Sequence, residues 1–404
     1  MEPTATAEES GRDPVNVLAI DKTAVLEHVR DRWDRLGGTP GVNLTLLVPE
    51  MWIENFRPHY FRTNRKYRFR EIIGKTWGTG RELRAIYRSG VREAFLESKP
   101  DVILMFEESF SLFALQLLRA KNRYAPEARL VFYSNNVTSY RMPGYRLAPL
   151  YRAIADYVTP RCAAGLCVND VAARVLAEAG YDTEIRTLFY GIDENRFAPA
   201  DRALSREKLG LDPDETIVLY AGRLIELKGV QDLIEAFEKV QQRNPEQQIR
   251  LLIVGDGPYR ENLEIKVAQC GLNQSVEFRD VLPIEEMPAL MSACDMLVLP
   301  SRAEFNEQFG RVNAETMLCG TIVIGSTSGA IPRVLGDAGF IFPAGDVDGL
   351  ASMIEYVLDH PEEVARKRVQ GREFALQRYS TGATVEQLRK LIDDLMGSRT
   401  RQAN

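Results

Sequence analysis

Short apolar runs rich in Val, Ile and Leu alternate with longer segments of helical spacing, and the alternation occurs twice along the chain. NVLAI (16–20) is followed by AVLEHVRDRWDRL (24–36), LTLLV (44–48) by a basic region, and DVILMF (101–106) by a helical stretch from Ser111 to Tyr124. RLVFYS (129–134) comes next, then GLCV (165–168) with the helix DVAARVLAEAG, and EIRTLFYG (184–191) closes the set. Strand, helix, strand in this order builds a parallel sheet with helices on both faces. From Ile192 to Leu211 the pattern gives way to IDENRFAPADRALSREKLGL, which reads as a polar loop. It restarts with TIVLYAG (216–222), helix 229–243, RLLIVGDG (250–257), helix 259–270, VEFRDV (276–281) and helix 285–293. MLVLP (296–300), helix 311–319, TIVIG (321–325), FIF (340–342) and helix 348–359 complete it. The expectation is an α/β protein of two facing Rossmann-like, doubly wound domains, 15–195 and 196–379, with an interdomain cleft. Residues 1–14 are expected as a disordered tail, and an amphipathic helix at 380–398 as packing back on the first domain. A length of 404 residues is too much for one ordinary core and fits two.

Several classes drop out. No apolar run reaches the roughly 18 residues of a membrane-spanning helix. The N-terminal MEPTATAEESGRDP is polar and acidic, unlike a secretory signal. Five scattered cysteines without a CxxC, and three distant histidines, argue against a disulfide framework or a zinc site and fit a reducing cytoplasm. Net charge is −6 but uneven: residues 1–195 hold 27 Lys and Arg against 25 Asp and Glu, the remainder 24 against 32. Within the first half, Arg57 to Glu93 holds 11 basic and 3 acidic residues interleaved with Tyr60, Phe61, Tyr67, Phe69, Trp77 and Tyr87. The plain expectation is a solvated helical face. The sharper one is a surface for anionic lipid headgroups, at the inner face of a membrane, or for a negatively charged substrate. In the membrane reading, Arg62, Arg65, Lys66, Arg68 and Arg70 attract the lipid while Tyr67 and Phe69 enter its headgroup layer. No nucleic-acid module accompanies the segment, so nucleic acid is not expected as a partner.

The chemistry concentrates at the strand ends of the second half. Ligands of doubly wound sheets bind beyond the carboxyl ends of the strands. After TIVLYAG comes GRLIELKG, in which Gly222 opens a short loop carrying Arg223 and Lys228, two cations suited to phosphate oxygens. After LLIV comes GDGP, where Gly255 lets backbone approach a ligand closely. After MLVLP comes SRAEFNEQFGRVNAETMLCG: Glu307 lies in the loop, a helix opens near Gly310 or Arg311, and Glu315 lies about one turn inside it. A helix N-terminus favours an anion, and the two glutamates can accept from hydroxyls of a ribose and of a sugar. Cations, helix terminus and paired carboxylates together describe a site for a nucleoside diphosphate sugar. A glycosidase acid/base pair would need no phosphate apparatus beside it.

These residues resemble the retaining GT-B nucleotide-sugar glycosyltransferases of the large group-one family. The family pattern of glutamate, seven residues, glutamate is read in EQFGRVNAETMLCG, its phosphate element in GRLIELKG, and its interdomain approach in LFYGIDENRFAP. The resemblance implies that Arg223 and Lys228 hold the diphosphate, Glu315 the ribose diol and Glu307 the transferred sugar. Backbone from Gln308 through Phe309, Gly310 and Arg311 to Val312 would contact sugar and phosphate, and the base would lie near Val281. It implies a hexosyltransferase that uses a UDP-sugar in first place or a GDP-sugar, by a front-face retaining route. The acceptor hydroxyl would belong to a glycan, lipid-linked or small molecule. On the acceptor side Lys22, Glu107, Glu108 and Asn135 follow first-domain strands, with Phe106 where the family often carries histidine. No cofactor or metal is expected: the cations supply the charge a metal would, and in the Asp346–Asp348 pair Asp348 reads as a helix N-cap. A nucleotide-sugar epimerase on the same fold, or a non-catalytic sugar-nucleotide binder, is the alternative. A dinucleotide oxidoreductase lacks its G-x-G-x-x-G after Ile20.

Overall fold

The computed structural model describes residues 13–54, 57–63, 65–81, 83–136 and 147–402. It divides into two compact units, one of Met1–Gly191 with Thr381–Asn404 and one of Ile192–Ser380. Residues 1–12, most of the expected tail, lie outside the described residues.

In the first unit the strands are β1 (Val15–Ile20), β2 (Val42–Pro49), β3 (Met51–Glu54), β4 (Arg57–Tyr60), β5 (Arg70–Gly74), β6 (Thr76–Trp77), β7 (Ile86–Tyr87), β8 (Val102–Met105), β9 (Arg129–Ser134), β10 (Ala164–Cys167) and β11 (Glu184–Thr187). Seven of them form one parallel sheet in the order β11-β10-β9-β8-β1-β2-β5. β3 pairs antiparallel with β4, and β6 with β7, as two ribbons. In the second unit, β12 (Thr216–Ala221), β13 (Ile249–Val254), β14 (Val276–Arg279), β15 (Met296–Leu299), β16 (Ile322–Ser326) and β17 (Phe340–Phe342) form a parallel sheet ordered β14-β13-β12-β15-β16-β17. Both sheets wind outward in one direction and then in the other. The reversal falls between β1 and β8 in the first unit and between β12 and β15 in the second, and such switch points are where α/β sheets bind ligands. Inner strands covered on both faces are continuously apolar: every residue of β8 and of β15 is buried.

Helix boundaries follow local chemistry. Ser111 and Asn169 accept from Ala114 and Ala172 N–H groups at the starts of helices Leu112–Tyr124 and Asp170–Glu178. The expected polar loop 192–211 contains a helix, Arg202–Leu209, capped by Asp201 and ended by Gly210 in a left-handed conformation. The chain enters the second unit at Ile192, which is fully buried and donates its N–H to the Tyr379 carbonyl. The terminal helix, Thr381–Gln402, belongs to the first unit, where Arg389 donates to the Pro40 carbonyl at 2.6 Å and Arg186 pairs with Asp394 at 2.8 Å.

The basic segment departs most from expectation. It is strand and turn rather than helix up to the short helix Val91–Ser98, because Arg70–Gly74 joins the sheet beside β2 and glycines 78 and 80 adopt positive φ. Tyr67 and Phe69 are buried and stacked 4.8 Å apart. Arg65 pairs with Asp31 at 2.6 Å, Arg68 with Asp34 at 3.1 Å, and Arg70 with Glu97. The aromatics assigned to a headgroup layer are therefore core, and three of the five cations are spent on neighbouring acids.

Candidate active site

At the second unit's switch point the strand-end loops touch through backbone. Gly229, at φ 69°, leaves a hypothetical Cβ 2.0 Å from the Pro300 carbonyl oxygen, so the loops after β12 and β15 meet there without room for a side chain. Gly255, at φ 147°, would set a Cβ 1.9 Å from the Gly222 carbonyl oxygen, and its N–H donates to Arg279 O at 3.0 Å. The carboxyl ends of β14, β13, β12 and β15 thus present Val281, Gly255, Gly222 and Glu307 in that order along one edge. Val281 is 64% exposed.

Lys228 and Glu307 meet in this junction. Lys228 Nζ lies 2.5 Å from Glu307 Oε2, and both residues are 8% exposed. Ser301 Oγ donates to the same carboxylate oxygen at 3.0 Å, and the Glu307 carbonyl accepts the Ala330 N–H at 2.7 Å. Burial pulls the Lys228 ammonium below its ordinary range; Glu307 opposes that and Arg223 adds to it. Arg223 is exposed and makes no ion pair among the described residues; its guanidinium lies 5.8 Å from the Phe305 ring, over which Lys228 Nζ sits at 4.3 Å. One cation is thus buried against a carboxylate and a second stands beside it without one.

The remaining residues of the loop divide by burial. Gln308 is exposed, while Phe309 is core, edge-on to Tyr379 at 5.3 Å, so only its backbone is available to a ligand. Gly310, at φ 66°, caps the helix Arg311–Leu318. Glu315 faces back along that helix to Arg311, 3.1 Å away, a pairing that the sequence reading did not anticipate; Val312 is half-buried beside it. Asn313 was missed as well: it is fully buried behind the loop, its amide nitrogen and oxygen both without a hydrogen-bond partner, and a Cβ on Gly310 would stand 2.9 Å from that nitrogen. Its signal in the sequence was a polar residue two positions before Glu315 on the helix's buried face.

The Asp346–Asp348 pair is read differently from expectation. The cap is Asp346, which accepts from the Gly349 N–H at 2.9 Å, because Asp348 already lies within the helix Val347–Asp359 and pairs with Lys239 at 2.5 Å.

In the first unit, Lys22, Glu107, Glu108 and Asn135 gather at the carboxyl ends of β1, β8 and β9. Lys22 Nζ lies 2.9 Å from Glu107 Oε2 and 5.2 Å from the Trp52 ring. Glu108 accepts from Ser134 Oγ and from the Asn135 N–H, each at 2.8 Å. Burial pushes the Glu108 carboxyl up to about 7, against the pull of those two hydrogen bonds and of Lys22. Phe106 stacks on Tyr133 at 4.8 Å and edge-on to Trp33 at 4.9 Å. Where the loop after β1 lacks a glycine pair, Asp21 fixes it: this buried carboxylate accepts from the Thr23 N–H and hydroxyl, Arg32 and Trp33 Nε1.

The fold is that of GT-B structures. HepE of Anabaena, solved in complex with UDP, superposes with a TM-score of 0.70 at 18% identity, over 94% of this chain and 100% of that one. Sucrose-phosphate synthase from Thermosynechococcus elongatus does so with a TM-score of 0.70 at 20% identity, over 96% and 100%. In sequence, residues 201–374 match the family described as glycosyl transferases group 1. Relatives include a GDP-mannose-dependent alpha-(1-6)-phosphatidylinositol monomannoside mannosyltransferase of Mycolicibacterium smegmatis, 31% identical over 54% of this chain and 59% of its own length. A D-inositol 3-phosphate glycosyltransferase of Corynebacterium jeikeium is 32% identical over 54% of each. The chain therefore spans little more than half the length of these relatives. Among the described residues, no helix is long and apolar enough to cross a membrane.

Proposed function

We propose that this protein is a retaining glycosyltransferase that moves a hexose from a nucleoside diphosphate sugar to an acceptor hydroxyl. The observation that carries the reading is the buried Lys228–Glu307 pair at the switch point, with Arg223 beside it and glycine backbone on either side. Phosphate oxygens would draw on both cations, and Lys228 is poised to divide its hydrogen bonds between Glu307 and a phosphate. Glu307 would then hold the sugar's hydroxyls, and Glu315, on releasing Arg311, the ribose diol. The base would reach toward Val281. In the reaction the bond from the sugar's C1 to the phosphate oxygen breaks and a bond from C1 to the acceptor oxygen forms on the same face. The acceptor's proton passes to the departing phosphate. The protein's contribution is fixed positive charge where negative charge develops on the leaving group. The two cations provide this charge without a metal.

A structure of this fold holds UDP, while a relative of higher identity is named for GDP-mannose, so both nucleotides enter the test. The test is a screen of UDP- and GDP-sugars in EDTA, read as nucleotide release with and without acceptors and by the product's anomeric configuration. Release of nucleotide with an anomer matching the donor supports the reading. An inverted product, or turnover that EDTA abolishes and Mn²⁺ restores, contradicts it.

A further inference from the structure

The first unit has a second feature at its sheet's carboxyl edge, away from the Lys22–Glu107–Glu108 group. A groove of about 650 Å³ opens at the ends of β2 and β5, lined among others by Glu50, Tyr60, Lys75, Thr79, Arg88 and Ser89. Its framework is tied down by backbone: the Glu50 N–H donates to Gly74 O at 2.8 Å, and the Phe61 N–H to Glu50 O at 2.9 Å. The Lys75 N–H donates to Ser89 Oγ at 3.0 Å, and the Arg88 N–H to Lys75 O at 2.7 Å. Thr76 and Thr79 share a hydroxyl hydrogen bond of 3.0 Å.

The register of this framework sets two like charges against each other. β6 and β7 pair Thr76 with Tyr87 and Trp77 with Ile86, so the next opposed pair in that antiparallel ladder is Lys75 with Arg88. Like charges directly opposite across strands cost stability. Elsewhere in this basic segment Arg65, Arg68 and Arg70 each find a carboxylate. Lys75 and Arg88 find none among the described residues, and Glu50, the one acid among the groove's lining residues, forms no ion pair with either. Two exposed cations are thus held side by side above an open groove whose other lining groups are hydroxyls, a carboxylate, Met51 and the 57% exposed Tyr60 ring.

We propose that this groove binds a phosphate monoester carried by a hydroxyl-rich molecule, that is, a phosphorylated sugar or polyol. The phosphate bridges Lys75 and Arg88, removing their mutual repulsion. Glu50, Thr79 and Ser89 meet hydroxyls, and Tyr60 offers an apolar face to the ring. The phosphate site stands independently of the transferase reading.

The test is calorimetric titration of inorganic phosphate, glucose 6-phosphate and glucose into the full chain, with UDP and GDP present in excess to occupy the second unit. Lys75→Gln and Arg88→Gln are compared with wild type. Glucose 6-phosphate is expected to bind, inorganic phosphate to compete with it, and glucose not to bind. Each variant is expected to weaken the phosphate probes about tenfold or more, the scale of one charge-assisted contact. In phosphate-free buffer each variant should melt no lower than wild type, because it relieves a repulsion; only wild type should gain Tm when phosphate is added. A parallel sedimentation with phosphatidylcholine vesicles, with and without phosphatidic acid, separates sources: binding to the acidic vesicles that is lost in the variants supports the same site with the phosphate on a lipid. Failure of every phosphate probe to bind wild type, or binding that is unchanged in both variants, overturns the proposal. Nucleotide binding is read separately by titrating UDP and GDP alone, so its failure bears on the transferase reading and not on the groove.

Discussion

The two sheets share one winding and differ in what their switch points carry. In the second unit the strand-end loops approach through backbone at Gly229 and Gly255, and Lys228 meets the buried Glu307 carboxylate with Arg223 beside it. In the first unit, at β1 and β8, no glycine lies between Ile20 and Glu27. The loop is held by the buried Asp21 carboxylate, and the groups on offer are Glu107 and Glu108 beside a single lysine. Glycine backbone plus cations suits an oxyanion that must be approached closely. Carboxylates on a side-chain-braced loop suit hydroxyl donors. The same topology thereby carries cations and glycine backbone at one switch point and carboxylates at the other, and the difference lies in a few loop residues rather than in the fold.

The largest effect that would break this contrast is at Lys228. Lys228→Ala is expected to cut sugar transfer by about two to three orders of magnitude, the scale of removing one transition-state charge contact. It also leaves Glu307 buried without its partner, at about 3–5 kcal/mol of stability. Steady-state rates and denaturant unfolding check the two parts, and retention of more than half of wild-type turnover would remove Lys228 from the site. Next in size is Gly255→Ala. A side chain at φ 147° and 1.9 Å from a carbonyl oxygen must displace the loop, so unfolding free energy should fall by at least about 1–3 kcal/mol, and nucleotide affinity should fall with it. Unchanged affinity would show that backbone approach at this strand end is not used.

A smaller effect sharpens the first unit's side of the comparison. The Glu108 carboxyl titrates at about 7 when folded against an ordinary 4.5. The folded state therefore holds this proton more tightly, and its contribution is present at low pH and lost as pH rises from about 4.5 through about 7. This is the opposite sign to a carboxylate stabilised by an ion pair. The difference in unfolding free energy between wild type and Glu108→Gln should shift against wild type across that window by roughly 1–3 kcal/mol, allowing for its partial exposure. A difference independent of pH would show that Glu108 is an ordinary carboxylate.

What the sequence made legible were the apolar strands and the loops that follow them. GRLIELKG and the Glu307–Glu315 spacing stood out because close backbone approach demands glycine, and phosphate demands cations, at fixed places after a strand. What it hid were elements whose burial is slight. Helix Pro361–Tyr379 buries only Val364, Gly371, Ala375 and Tyr379 among many charges, a stripe too narrow to show as periodicity. Helix Arg202–Leu209 lay within an apparently polar run, although its Asp201 cap and terminal Gly210 were present to be read. Basic residues between Arg57 and Glu93 masked short strands, because their side chains point to solvent or to acids such as Asp31, Asp34 and Glu97 that are distant in sequence. The occupation of Glu315 by Arg311 was in reach of the sequence as an i, i+4 pair; the contact between Lys228 and Glu307, 79 positions apart, was not.

The central claim, that the β12 and β15 strand ends hold a nucleoside diphosphate, is tested most directly by titrating UDP, GDP and NAD into wild type and into Arg223→Ala. This substitution removes the exposed cation and leaves the buried pair intact. The account predicts binding of UDP or GDP to wild type, no binding of NAD, and affinity weakened about tenfold or more in the variant, as expected for loss of one charged phosphate contact. Equal affinity in the two proteins, or a wild type that binds NAD and neither nucleoside diphosphate, would contradict it.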